Sequence, residues 1–273
     1  MIRVEHENFI KNSLMFFKSD PRFIGVVAAG SYITKEMDEY SDIDLVIAVK
    51  PESLGKVMGE RMEIAKKIGN LLSAFTGEHV GAPNLLICLY ADPLLHVDLK
   101  FVSINDIAHR VEDFVILWEI EEQISAKFKE VEARFPTPDL QWIEDRFWVW
   151  VHYGAGKIGR GEIFEAIELF SYLRKNVIGP LILMHKGKQA RGVRKIEFDA
   201  PEYIEKLTTS IATHDRSSCC VAMNTIIDLY RELREVHKFE GFILRTDAEK
   251  LAVDYFKHIG KRCADQLEKR EFE

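Results

Sequence analysis

The stretch AAGSYITKEMDEYSDIDLVIAV, residues 28–49, joins two apolar runs by a polar connection. The second run opens with Asp42 and Asp44, two carboxylates two residues apart, just as the chain turns apolar. A buried strand normally avoids an unpaired carboxylate, because taking it out of water costs several kcal/mol. In a strand, residues i and i+2 point to one face, so Asp42 and Asp44 project side by side while Ile43 and Leu45 enter the core. The two charges repel unless something positive sits between them. A bound divalent cation is the economical answer, and hard oxygen ligands favour Mg²⁺.

Two neighbouring stretches extend the device. Upstream, Gly30 closes the run FIGVVAAG and Ser31 begins a short helix, so backbone N–H groups and the Ser31 hydroxyl can face a phosphate. Downstream, LLHVDLKFVS (residues 94–103) alternates Val97, Leu99 and Phe101 with His96, Asp98 and Lys100. If that strand lies beside the Asp42 strand with polar faces aligned, three carboxylates converge. Two metals ~3.5–4 Å apart on such a cluster suit in-line phosphoryl or nucleotidyl transfer. The plainer readings are strand-end carboxylates in water for Asp42 and Asp44, and an Asp–Lys pair on an exposed strand face for Asp98.

Around this centre the first hundred residues alternate helix and strand signals. Apolar positions repeat at helical spacing over residues 4–18 and stop at Asp20-Pro21. FIGVVAAG, DIDLVIAV, APNLLICLYA and LLHVDLKFVS are the predicted strands, with a long amphipathic helix over residues 58–75 between the second and third. Beyond about residue 110 the period becomes helical throughout: residues 139–158, 161–178, 219–239 and 247–272 carry apolar stripes at helix spacing. The expected fold class is therefore α+β. A small mixed-sheet domain occupies residues 1–112, and an α-helical bundle domain, 113–273, contributes to acceptor and nucleotide binding. A charged helix ends at Pro136 and Pro138 near the junction.

Composition narrows the function classes. A hydrophobic content of 47% with 30% charged residues is that of a folded soluble protein. The formal net charge of −7 is split −3 over residues 1–110 and −4 over the rest, which disfavours non-specific binding to nucleic-acid backbone. The cysteines, Cys88, Cys219, Cys220 and Cys263, lack the spacing of a zinc site and are expected as reduced thiols. The N-terminus lacks the basic-then-apolar layout of a signal peptide, and runs such as VIGPLILM are too short to span a bilayer. The expectation is a cytoplasmic protein with no membrane partner, as a monomer or homodimer.

Glycine–serine, ten residues, D-x-D and a later strand aspartate together resemble the nucleotidyltransferase superfamily typified by DNA polymerase beta, over residues 22–102. The layout, a small catalytic domain followed by a helical bundle, is similar to bacterial aminoglycoside and lincosamide adenylyltransferases. By that resemblance Asp42 and Asp44 would bind the metals that bridge the nucleotide phosphates, and Gly30 and Ser31 would hold the β- and γ-phosphates. Asp98 would complete the metal site, act as general base toward the acceptor hydroxyl, or do both. The implied cofactor is Mg²⁺, two ions, with a nucleoside triphosphate, preferably ATP, as substrate. The implied acceptor is a small hydroxylated molecule, with RNA or protein as alternatives. A non-catalytic nucleotide-binding or regulatory protein on the same fold is the rival from another class.

Further candidates lie elsewhere. Lys157 and Arg160, in a Gly-punctuated turn, are candidates for the triphosphate charge, while Glu162 and Glu165 suit the start of the next helix for electrostatic reasons alone. Arg191, Arg194 and Lys195 form a second basic turn. Lys35, Glu36, Asp38 and Glu39 read as a solvated loop, and Glu78 and His79 as a connection within reach of the site. Trp142, Phe147, Trp148, Trp150 and Tyr153 cover more than one face of a helix, so several belong to the core.

Overall fold

The computed structural model describes residues 3–34 and 37–271, with side chains as far as Lys261. Lys35, Glu36 and the Cys263 side chain lie outside the described residues, as do Met1 and Ile2. The chain divides into two compact units, Met1–Phe135 and Pro136–Glu273.

In the first unit the elements run α1 (Val4–Ser19), β1 (Phe23–Ala28), α2 (Ser31–Thr34), β2 (Ile43–Val49), α3 (Leu54–Ile68), β3 (Leu71–Gly77), β4 (Ala82–Tyr90), β5 (Leu95–Ser103), β6 (Val115–Glu119) and α4 (Gln123–Glu130). The six strands form one sheet in the order β3-β4-β5-β2-β1-β6. The β2–β5 pair is parallel and the other four pairings are antiparallel, so the sheet is mixed. Alternation along β5 decides which face is core: Val97, Leu99 and Phe101 are buried, while His96, Asp98 and Lys100 point to the other side. On the buried side the strands pack with Phe9, Ile10 and Phe17 of α1 and Val57, Ile64 and Ala65 of α3. On the opposite side, a smaller cluster of Val27, Val46, Ala48, Ile104, Ile107 and Ile124 covers the β1–β2 half.

Two expectations from the sequence need correction. The helix expected over residues 58–75 spans Leu54–Ile68, and its last predicted turn is β3. The apolar spacing of Leu71, Leu72 and Phe75 fits a helix, yet the segment pairs antiparallel with β4 as the edge strand of the sheet, and tertiary context prevails. Residues beyond 110 are not all helical either: β6 pairs antiparallel with β1. The first unit thus runs past residue 112, and the segment 121–139 holds the division between the units.

The second unit comprises α5 (Leu140–Arg160), α6 (Ile163–Leu173), α7 (Gly179–His185), α8 (Ile196–Asp199), α9 (Ile204–Thr209), α10 (Arg216–His237) and α11 (Thr246–Glu271), with a π-helical turn over Arg174–Ile178. Asp139 caps α5 by accepting from the Trp142 amide, and Asp215 caps α10 through the Ser218 amide. Phe147 and Trp148 are buried, with Phe147 stacked on Tyr230 at 3.8 Å between centroids, whereas Trp142 and Tyr153 keep exposed faces. A wholly buried carboxylate, Glu144, sits in this core. It accepts from Tyr230 Oη at 2.6 Å, Trp148 Nε1 at 3.2 Å and the Arg245 amide at 2.9 Å, with Arg234 Nη1 at 3.3 Å.

Candidate active site

The site is built where β1 ends and β2 begins. The Ala29 amide donates to the Asp44 carbonyl at 3.0 Å, extending the β1–β2 pairing to the point where the chain turns into α2. Gly30 follows with φ of +61°, a conformation that L side chains rarely adopt. A Cβ there would collide with Oδ2 of Asp44. Glycine is therefore required twice, by its backbone and by the carboxylate pressed against it. The Ser31 hydroxyl oxygen beside it is shut from solvent and has no hydrogen-bond partner among the described residues.

Asp44 and Asp98 are direct partners in the parallel β2–β5 register, so both carboxylates share one face at the middle of the sheet. Asp42 stands one residue before β2. Burial raises the Asp98 pKa; the Asp42 charge adds to the rise, and His96, its Nε2 3.1 Å from Asp98 Oδ1, opposes it. Lys100 lies on the same face two residues further along β5. Among the described residues, no group of three or more His, Cys, Asp or Glu side chains is drawn together tightly enough to hold a metal ion. What the structure provides is a pair of hard oxygen donors in register, a third just upstream, and one carboxyl, Asp98, whose charged form is disfavoured by burial. Such a donor set fits a hard divalent cation.

Two residues that the sequence reading passed over position this site. The buried His6 of α1 donates Nε2–H to the Ser41 carbonyl at 3.0 Å, fixing the residue that precedes Asp42. Ser41 is itself tied into a local turn: its hydroxyl donates to Asp38 Oδ1 at 2.9 Å and accepts from the Asp38 amide at 3.0 Å. Glu112 reaches the Gly30 amide with Oε1 at 3.4 Å, which adds another carboxylate beside the cradle. Neither carries a local signal, since both act across 35 residues or more of chain.

The glycine–serine step, the D-x-D and the domain around them match the family described as a nucleotidyltransferase domain over residues 10–82. This part of the chain is a nucleotidyltransferase domain. The match takes in Gly30, Ser31, Asp42 and Asp44 and ends before Asp98. Among solved structures, an aminoglycoside 6-adenyltransferase from Bacillus subtilis is similar at 17% identity, with 94% of this chain and 99% of that one covered and a TM-score of 0.40. A nucleotidyltransferase-like protein from Exiguobacterium sibiricum 255-15 is similar at 13% identity, over 83% of this chain and 74% of that one, with a TM-score of 0.38. Likenesses this distant carry no information about substrate. No curated protein matches the chain.

Of the remaining candidates, Lys157, Arg160, Arg191, Arg194 and Lys195 lie in the second unit, and Glu78 and His79 in the first. Lys157 and Arg160, in the last turn of α5, are engaged within their own unit. Lys157 Nζ pairs with Glu162 at 2.7 Å and with Glu165, and Arg160 Nε donates to Glu162 at 2.8 Å. These cations hold the Glu162 carboxyl down at about 2. Arg191, Arg194 and Lys195 occupy the turn between α7 and α8. Glu78 and His79 form a short turn after β3, with the His79 ring 5.6 Å from that of Phe75. Burial pushes the Cys88 thiol up to about 12, which makes it inert near neutral pH. Among the described residues, no helix is long and apolar enough to cross a membrane.

Proposed function

We propose that this nucleotidyltransferase moves a nucleoside monophosphate, AMP from ATP, onto a hydroxyl of a small molecule and releases pyrophosphate. The observation that carries the reading is the in-register pairing of Asp44 with Asp98 beside Gly30, whose missing side chain leaves room for the Asp44 carboxylate. Gly30 and Ser31 would take the β- and γ-phosphates, the Ser31 hydroxyl being a buried group that lacks a partner among the described residues. Asp42 and Asp44 would hold Mg²⁺, with Asp98 completing the donor set. Bound there, the cation would neutralise charge on the phosphates and align the attack.

The chain's own groups then account for the proton. The acceptor oxygen bonds to the α-phosphorus, the bond from that phosphorus to the bridging oxygen breaks, and pyrophosphate departs. The hydroxyl proton goes to Asp98, the carboxylate whose burial strengthens its hold on a proton. Incubation with α-labelled ATP, Mg²⁺ and a panel of hydroxylated small molecules tests the reading. Acceptor-dependent label transfer and pyrophosphate release are expected, and Asp44→Asn should lower the rate at least about 100-fold. An unimpaired Asp44→Asn enzyme sinks the metal assignment. Nucleotide binding with no release across the panel would instead assign a binding protein on this fold.

A further inference from the structure

Strand register extends the catalytic row beyond the aspartates. Asp44 of β2 pairs with Asp98 of β5, Asp98 with Ile87 of β4, and Ile87 with Phe75 of β3. In the next row of the same face, His96 pairs with Leu89 and Leu89 with Ser73. One continuous face thus changes from carboxylate to apolar across four strands. The opposite face of β4 buries Leu86, Cys88 and Tyr90 in the core, so Phe75 and Leu89 are not spare core residues. They stand 54% and 38% exposed, although a half-open sheet ordinarily turns polar side chains to water. The His79 ring leans against Phe75 and enlarges the patch.

In-line displacement fixes what belongs there. The attacking and leaving oxygens lie on opposite sides of the phosphorus. With pyrophosphate leaving toward Gly30, on the β1 side of Asp44, the acceptor must approach from the far side of Asp98. That side is the β4–β3 half of the face. Strands lie roughly 4.8 Å apart, so Ile87 is about 5 Å and Phe75 about 10 Å from Asp98 along the row. The span matches a sugar-sized hydroxyl-bearing unit with one further ring.

We propose that Ile87, Leu89 and Phe75 form the acceptor platform, and that the acceptor is a small polyol carrying an apolar or aromatic flank which lies on Phe75 while its hydroxyl meets Asp98. This rests on the nucleotidyl-transfer reading above and narrows its substrate class. Ile87, Leu89 and Phe75 themselves carry no charge to pair with a wholly polar polycation.

The test uses matched acceptor pairs with α-labelled ATP and Mg²⁺: phenyl against methyl β-glucoside, and a lincosamide against an aminoglycoside. Wild-type enzyme should favour the flanked member of each pair. Phe75→Ala and Leu89→Ser, both at exposed positions that leave the core intact, should raise the acceptor KM about tenfold, equivalent to about 1.4 kcal/mol. The KM for ATP should stay within about twofold of wild type. Unchanged acceptor KM in both variants overturns the platform. So does a rise confined to the ATP KM, which would assign the patch to the nucleobase. Transfer only to unflanked members, or to none of them while Mg·ATP still binds, also overturns it. Loss of the underlying reading looks different: wild-type protein would then bind Mg·ATP no better than Asp44→Asn.

Discussion

Gly30 and Asp98 are single positions at which the proposed site and stability pull apart. Gly30 combines a left-handed backbone with a contact to Asp44 that leaves no room for a methyl group. Gly30→Ala should cost about 1–3 kcal/mol and, by shifting Asp44, lower turnover about 100-fold; a melting curve and a steady-state assay check both. Asp98 has a raised pKa in the fold, so the folded state binds its proton more tightly than the unfolded chain does. That contribution is fully present below the ordinary carboxylate range and is lost as pH rises through the folded value. At neutral pH the ionised Asp98 therefore opposes folding. Asp98→Asn should abolish transfer while raising the melting temperature of the metal-free protein at neutral pH, and the gain should shrink as pH is lowered toward 4. The D-x-D and the glycine–serine step were legible because their oddity is local, a charge where a strand turns apolar and a glycine at its end. His6 and Glu112 were not, because a buried histidine on a helix and a loop glutamate look ordinary until the fold brings them to Ser41 and Gly30.

At the level of elements, position depends on a few long-range polar contacts. Helix α1 buries Phe9, Ile10 and Phe17 under the sheet and from there holds the loop before Asp42 through His6. His6→Ala should lower kcat about tenfold with little change in the KM for ATP, because it loosens the entry to β2 without removing a ligand-binding group. In the helical unit, Glu144 of α5 gathers Trp148, Tyr230 and Arg234, and Arg234 Nη1 continues to Glu249 of α11 at 2.8 Å. Glu144→Ala would leave Arg234 short of a buried partner and should destabilise the unit by about 3–5 kcal/mol in urea unfolding. The elements themselves were mostly readable from period, yet β3 and β6 were not. Leu71, Leu72 and Phe75 continue a helical stripe, and the five residues of β6 are all only half-buried, so neither segment shows the alternation that marks a strand.

Across the whole molecule, each unit has its own core: the sheet with α1 and α3 in one, and a helical cluster running from Ile143 to Ile259 in the other. The residues between α4 and α5 belong to no helix or strand, and Arg134 within them is exposed. Brief trypsin treatment should therefore cut first at Arg134 and give two fragments of nearly equal mass, seen by intact mass spectrometry. Sequence by itself determined the α+β class, the helical period of the second unit, and the local oddity of two carboxylates at Asp42 and Asp44 where a strand turns apolar. It could do so because side-chain period and local charge are properties of neighbouring residues. Only the tertiary structure decided that Asp98 pairs with Asp44, that Ile87 and Phe75 continue their row, and that His6 steadies the loop. The physical reason is register. A slip of one residue in β5 would leave every local pattern intact and turn Asp98 to the buried face, and the pairing of distant strands is what prevents it.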